Sequence, residues 1–274
     1  MVEESETPGI IERQFRHELG AINPYFCLVD SAVEFFLEET EAKSDKAKFL
    51  RKISGQYGHH HLYTEHLCIN DIRKFVYLAH IALINSKAEA ACKRIQKIKM
   101  MLKESKHIAE GDFLRKTIAI VYSSKKGDHE LVKNVEDEIF EDYVGKTEFR
   151  VIDYFRLIRN NEFHPSKKDE NLNNILKIYN SIDQDFLRKV YQSKLNKPEE
   201  INSKDVLLLS KVWQKSIKEI CRKCLNMEKV YEKLKLEYKG ISKEERRKNK
   251  IIQSLKQEFL QTDEDISIIM ETQI

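Results

Sequence analysis

The amino-acid sequence predicts an all-α protein, a helical bundle with a C-terminal helical hairpin extension. Its 274 residues include only 8 glycines and 4 prolines, so signals for tight turns are sparse. Apolar residues recur at three- and four-residue spacing along most of the chain, which is typical of helices with one buried face. No stretch of useful length alternates apolar and polar residues as a half-buried strand would.

The first half of the chain is predicted to form helices with recognisable ends. They cover residues 9–19, 24–37, 62–85, 88–108 and 113–121. The second of these begins at Asn23-Pro24, because asparagine is a good N-cap and proline fits the first helical position. Gly111 ends the fourth helix, and the side chain of Asp112 can cap the fifth.

The second half is predicted to continue as helices separated by polar breaks. The helices cover residues 131–143, 147–163, 203–238 and 243–260, and residues 174–191 form one bent helix or two short ones. Residues 165–174 are predicted to be a loop, and the acidic tail from residue 261 is expected to fray. Ser242 starts the last helix through a capping box. Pro198 marks the candidate domain boundary, between a bundle over residues 1–197 and an extension over 198–274.

Composition and charge exclude several classes of protein. Basic and acidic residues nearly balance, 48 against 45, so the net charge of +3 does not indicate a nucleic-acid-binding protein by itself. The acidic first residues lack the apolar core of a signal peptide, and no apolar run is long enough to predict a membrane span. The five cysteines, an odd number, are expected to be reduced thiols in a cytoplasmic protein.

The segment most informative about function lies at the end of the predicted helix 147–163, just before Pro165. It contains Arg159, Asn160 and His164 within about one and a half turns. Arginine binds phosphate oxygens through its planar guanidinium, and histidine transfers protons near neutral pH. Since Pro165 disfavours helical geometry at His164, we expect the last turn to loosen and this histidine to face a cleft.

The order Arg159-Asn160-Asn161-Glu162-Phe163-His164 resembles the motif of the HEPN family (higher eukaryotes and prokaryotes nucleotide-binding). In that family an arginine, usually followed by a polar residue such as asparagine, precedes a histidine after a short gap. The resemblance implies an all-helical, metal-independent endoribonuclease of a prokaryotic defence or toxin–antitoxin system, with RNA as substrate and no cofactor. It also implies a homodimer in which two motifs meet in one cleft, and an antitoxin or defence-system partner.

The residue types suit that chemistry. RNA supplies its own nucleophile, the 2′-hydroxyl, so a nuclease needs only proton transfer and charge stabilisation. His164 would transfer the proton, Arg159 would stabilise the pentacoordinate phosphorane, and Asn160 would orient either of them. One histidine cannot easily perform both proton transfers, so a dimer would supply the second. Arg159 also falls beside Phe155 and Ile152 on a helical wheel, which predicts this helix at or near a two-fold interface.

A second Arg–His pair, Arg73 and His80, also has spacing within the HEPN range. Seven positions is nearly two helical turns, so both lie on one face. Lys74, however, replaces the polar residue that should follow the arginine, and the residues between are apolar. These features favour a structural helix.

Three further clusters are candidate sites. The histidines His59, His60, His61 and His66 could bind a metal, but a loop leading into a helix explains them equally well. Cys221 and Cys224 have the spacing of a redox motif or half a zinc site, yet no second pair accompanies them. A basic run is more often a solvated face than an RNA contact; it comprises Lys93, Arg94, Lys97, Lys99, Lys103 and Lys106.

Two alternative functions remain open. A non-catalytic interaction or regulatory module with the HEPN fold would keep the helices without the activity, and a helical nucleotide-binding regulator is the third interpretation. The arrangement of Arg159 and His164 discriminates between them. In a nuclease the two side chains share an open cleft, whereas in a scaffold they point apart or are covered by carboxylates.

Overall fold

The predicted fold class is confirmed by a computed structural model, which describes residues 6–60, 69–98, 112–126, 137–163 and 168–272. These residues form twelve α-helices and a short 3-10 helix, and no strand occurs among them. The helices are α1 (Pro8–Glu41), α2 (Lys46–Gln56), α3 (Ile69–Ile95), α4 (Phe113–Lys126), α5 (Asp137–Val144), α6 (Lys146–Phe163), α7 (Lys168–Ser181), α8 (Gln184–Tyr191), α9 (Ser203–Lys223), α10 (Met227–Glu237), α11 (Glu244–Gln257) and α12 (Asp263–Thr272). None of the described helices is long and apolar enough to cross a membrane, as predicted.

The chain divides into two compact units, each assembled from separate parts of the sequence. The first comprises Met1–Glu18, Asn85–Asp153 and Ser210–Ile274. Its core is built around Trp213, which is fully buried, stacks on Phe113 and donates a hydrogen bond to Asn85 (3.1 Å). Burying the indole ring therefore leaves its N–H group satisfied, which is the usual condition for a buried tryptophan.

The second unit comprises Leu19–Ile84 and Tyr154–Leu209. Tyr154 and Phe155 are fully buried in its core, and the Tyr154 hydroxyl donates to the backbone carbonyl of Asn196 (2.7 Å). Pro198 lies inside this unit, in the 3-10 helix Pro198–Glu200. The domain boundary proposed at that proline stays a prediction.

The predicted break at Asn23-Pro24 is wrong, because α1 continues through Pro24 without interruption. Proline inside a helix removes one backbone hydrogen bond and crowds the residue four positions earlier. That residue is Gly20, which has no side chain and lies in open space. Burial of Phe26, just after the proline, stabilises this part of the helix. Similarly, α3 runs through residues 86 and 87, where the sequence predicted two separate helices.

Several predicted ends in the second half are also corrected. The long helix predicted over 203–238 is two helices, because the Asn226 side chain caps the start of α10. Lys243, not Ser242, precedes α11, and no side chain caps it. The tail expected to fray forms α12, and the buried side chain of Gln261 fixes the turn before it by donating to the carbonyls of Arg222 and Phe259. The loop predicted over 165–174 is helical from Lys168 onward.

Candidate functional site

Helix α6 carries the candidate residues that the structure describes. Gly145 precedes it with a φ of +94°, a left-handed conformation that glycine adopts without strain, and its carbonyl accepts the first helical bond, from Phe149 (2.9 Å). Along α6 a broad apolar face is buried, from Phe149 to Ile158. Asp153 is buried as well, and its carboxylate is paired with Arg115. The residues that follow Ile158, from Arg159 to Glu162, are only partly buried or exposed, and they include two of the candidate residues.

Arg159 and Asn160 lie at that end of α6, in the second unit, and both are half-buried. The guanidinium of Arg159 donates a hydrogen bond from Nη2 to Oδ1 of Asn160, 3.1 Å away. The neutral amide therefore orients the arginine without compensating its charge. His164 lies outside the described residues, so its place relative to Arg159 stays a prediction.

The charge environment of Arg159 differs from that of most other partly buried arginines. Five of those form an ion pair with a carboxylate: Arg73 with Glu34, Arg94 with Glu6, Arg115 with Asp153, Arg150 with Glu141 and Arg222 with Asp265. Among the side chains that the structure describes, which do not include those of residues 163–171, Arg159 has no carboxylate at ion-pair distance. A half-buried cation without a neutralising partner attracts an external anion more strongly than a paired one.

The next turn of α6 lines a cavity of 670 Å³ in the second unit, a volume typical of small-molecule sites. Ile158, Asn161 and Glu162 form the α6 wall, and Lys74 of α3 contacts Glu162 (Nζ to Oε1, 2.5 Å). In the described structure Oδ1 of Asn161 is buried and accepts no hydrogen bond. The sequence analysis did not assign Asn161 to a cavity. Its position three residues after buried Ile158 could have indicated that it lies on the inward-facing side of α6.

The prediction that α6 forms a two-fold interface loses its original basis. It depended on Phe155 and Ile152 being available beside Arg159. Both side chains are almost fully buried within their own chain. A dimer contact must therefore use other residues.

Arg73 and His80 occupy different environments, although they share one face of α3. Arg73 donates two hydrogen bonds to the Glu34 carboxylate (2.5 and 2.6 Å), and this pairing fixes the orientation of the Arg73 guanidinium. The ring of His80 stacks on Phe26 with centroids 4.2 Å apart. Burial lowers the pKa of His80 because it disfavours the charged ring. The two residues line separate cavities, which supports the structural interpretation of this pair.

The other clusters gain no support as sites. Cys221 and Cys224 are buried, and burial raises the pKa of the Cys221 thiol well above its usual range. His59 and His60 are exposed, while His61 and His66 lie outside the described residues. Where the structure describes the chain, no three His, Cys, Asp or Glu side chains converge as metal ligands do.

Part of the basic run lies on the described end of α3. Lys93 pairs with Glu89 (2.7 Å), and Arg94 pairs with Glu6. Lys99, Lys103 and Lys106 lie outside the described residues. The two paired members therefore favour the interpretation of a solvated, ion-paired face.

Comparison with protein-family models, curated proteins and solved structures gave no significant match. The HEPN resemblance thus depends on the Arg159–His164 motif and its all-helical setting.

Proposed function

We propose that this protein is a metal-independent endoribonuclease that uses Arg159, Asn160 and His164. The observation that best supports the proposal is the state of Arg159, which is half-buried, oriented by a neutral amide and lacks a carboxylate partner among the described side chains. Such a group suits a phosphate that gains negative charge during reaction. An arginine that only maintained the fold would be expected to pair with an acid, as Arg73 and Arg115 do.

The reaction needs no group from outside the protein and its RNA substrate. The 2′-oxygen of a ribose attacks the adjacent phosphorus and gives its proton to a base. The bond from phosphorus to the 5′-oxygen breaks, and that oxygen receives a proton from an acid. The products are a 2′,3′-cyclic phosphate and a 5′-hydroxyl. In this proposal His164 transfers protons, and Arg159 stabilises the charge on the phosphorane oxygens.

The proposal includes a homodimer. Two copies would supply two His164 side chains, one as base and one as acid, which a single copy cannot provide at once. A nuclease of this type must be restrained in the cell that makes it. We therefore propose a role in a prokaryotic defence or toxin–antitoxin system, with an antitoxin or defence-system partner.

Incubating the purified protein with a mixed RNA pool, with and without EDTA, tests this function. We expect cleavage in both samples, with 2′,3′-cyclic phosphate and 5′-hydroxyl ends. Activity that EDTA abolishes and magnesium restores would contradict the mechanism.

The alternative is a non-catalytic helical interaction module, which exposed aromatic residues on α1 and α3 favour. It predicts intact RNA with and without EDTA.

A further inference from the structure

Helix α1 exposes an apolar stripe on the side that faces away from the core of the second unit. The stripe consists of Ala21, Tyr25, Leu28, Ala32 and Phe35, all of them exposed. Their separations are four, three, four and three residues, the spacing by which one helix packs along another. The opposite side of α1 is occupied already, because Phe26 and Leu37 are buried. This segment of α1 is therefore apolar on two faces, and only the face with Phe26 and Leu37 packs against the rest of the chain.

The stripe continues onto α3 across a shallow groove. Phe75 and Leu83 are exposed there, and Phe75 retains 77% of its full accessible surface. The groove has a volume of 410 Å³ and is lined almost entirely by apolar side chains, including Tyr25, Val29 and Ala79. The stripe and the groove thus form one continuous apolar surface of the second unit.

This apolar surface is large for a chain that acts alone. Its aromatic and aliphatic side chains together expose on the order of 700 Å² of surface. Contiguous apolar patches on monomers are rarely larger than a few hundred Å². A standard protein interface buries roughly 800 Å² on each partner, so this surface is close to what a stable dimer needs.

We propose that the α1 stripe binds the same stripe of a second copy, antiparallel, about a two-fold axis near Leu28. A two-fold contact must be complementary to itself. Reversing the stripe about Leu28 brings Phe35 opposite Ala21 and places Tyr25 within one residue of Ala32. The two aromatic side chains then each face or adjoin an alanine, and Leu28 meets its own copy on the axis, which allows the two helices to interdigitate.

The charges of α1 favour a second copy of the chain as the partner, and an antiparallel arrangement of the two helices. From Leu19 to Ala42 the chain contains five acidic residues and no Lys, Arg or His; the acids are Asp30, Glu34, Glu38, Glu39 and Glu41. Glu34 is paired with Arg73 of α3 and Glu39 with Lys43. The other three acids keep this side of the helix acidic, which disfavours RNA and anionic lipid surfaces. All five acids follow Leu28. An antiparallel pair therefore holds the Glu38–Glu41 ends about 30 Å apart or more along the axis, whereas a parallel pair would bring them together.

The inference gives the dimer of the proposed function a contact surface, but it depends only on exposed residues of α1 and α3. Cleavage and dimerisation can thus fail separately. If the chain dimerises through α1 and leaves RNA intact, the ribonuclease proposal fails and this one stands.

Sedimentation equilibrium of the full chain tests the proposal with a matched pair of variants. Leu28 and Leu236 are each 67% exposed, but Leu236 lies on α10, away from the stripe in sequence and in the other unit. We expect a wild-type dimer, an unchanged dimer for Leu236→Glu, and a dissociation constant at least about tenfold weaker for Leu28→Glu. Circular dichroism checks that both variants are helical. A monomeric wild-type chain would overturn the proposal, and so would a monomer that binds lipid vesicles instead. A Leu28→Glu variant that dimerises with wild-type affinity would overturn it as well.

A cysteine cross-link tests the register without adding a charge. In a Cys27→Ser background, we expect Leu28→Cys to give a disulfide-linked dimer on oxidation, because Leu28 faces its own copy across the axis. Ala21→Cys should give none, since its neighbour in the second copy is Phe35. Efficient cross-linking through Ala21→Cys would show parallel pairing and overturn the proposed arrangement.

Discussion

Arg159 donates a hydrogen bond from its guanidinium to Oδ1 of Asn160, the next residue on α6, at 3.1 Å. The side chains of successive residues on a helix point about 100° apart, so this bond orients the Arg159 guanidinium along the helix surface, towards Asn160. Asn160 thereby orients a positive charge without neutralising it. This relationship separates two roles of the motif, binding an anion and positioning the group that binds it.

Substitutions of Asn160 should distinguish orientation from charge. Asn160→Ala loses the hydrogen bond, and we expect RNA cleavage to slow by about tenfold, less than on losing Arg159 itself. Asn160→Asp keeps an acceptor but places a carboxylate beside Arg159, which then competes with the phosphate. Cleavage rates measured on one defined RNA should therefore rank wild type above Asn160→Ala, and Asn160→Ala above Asn160→Asp. An aspartate variant as active as the wild type would show that the charge of Arg159 is not used.

The Arg115–Asp153 ion pair is expected to stabilise the first unit. The Asp153 carboxylate accepts two hydrogen bonds from Arg115 (2.8 and 2.7 Å), and its side chain is only 9% exposed. Removing one charge of a buried pair costs about 3–5 kcal/mol, but Arg115 keeps a second carboxylate partner in Asp112, which reduces the loss. We expect Asp153→Asn to lower the free energy of unfolding by about 2–3 kcal/mol. Urea titration monitored by the fluorescence of Trp213 measures this change.

The exposed pair of Arg188 and Asp185 is the control for that substitution. Asp185→Asn should change the free energy of unfolding by about 0.5 kcal/mol or less. Equal effects of the two substitutions would mean that the buried pair contributes no more than a surface pair.

Stability should fall in mild acid because of His80. Burial lowers the pKa of this histidine below its usual 6.5 in the folded chain. Just below pH 6.5 the unfolded chain thus binds a proton that the folded chain does not, so unfolding becomes more favourable as the pH decreases. We expect His80→Phe, which keeps a ring against Phe26, to flatten this part of the stability profile. An unchanged slope between about pH 7.5 and 5 would contradict the assignment to His80.

The thiols should differ sharply in reactivity. Cys27 is exposed on α1, whereas Cys92, Cys221 and Cys224 are buried. Burial raises the pKa of Cys92 to about 12, so its reactive thiolate is scarce at neutral pH. Brief treatment of the native chain with iodoacetamide, followed by peptide mapping, should label Cys27 and spare these three until urea is added. Early labelling of Cys221 or Cys224 would show that the end of α9 opens readily.

Local sequence signals predicted the helical class and some helix ends. Asp112 caps α4 as predicted, since its carboxylate accepts from the backbone N–H groups of Leu114 and Arg115 (3.0 and 3.1 Å). The signal at Asn23-Pro24 failed because burial of neighbouring side chains outweighed a local preference for a break. The end of α9 was missed because the turn before α10 contains neither glycine nor proline, and only the Asn226 cap marks it.

The candidate site was predictable in its residue types but not in its surroundings. Sequence order places Arg159 and Asn160 at the end of a helix, and the structure agrees. Partners that come from distant parts of the chain cannot be read from that order. Glu34 lies 39 residues before Arg73, and its carboxylate makes Arg73 a paired residue. The buried pairing of Asp153 with Arg115 likewise required the folded first unit.

A direct comparison of cleavage rates for two matched pairs of alanine variants tests the central claim. We expect Arg159→Ala and His164→Ala each to cleave a defined RNA about 10²-fold more slowly or worse than the wild type, while both remain folded. Arg73→Ala and His80→Ala, from the pair with the other HEPN-like spacing, should stay within a few-fold of the wild-type rate. If the Arg73→Ala and His80→Ala variants lose cleavage while Arg159→Ala and His164→Ala stay active and folded, Arg159 and His164 are not the catalytic residues.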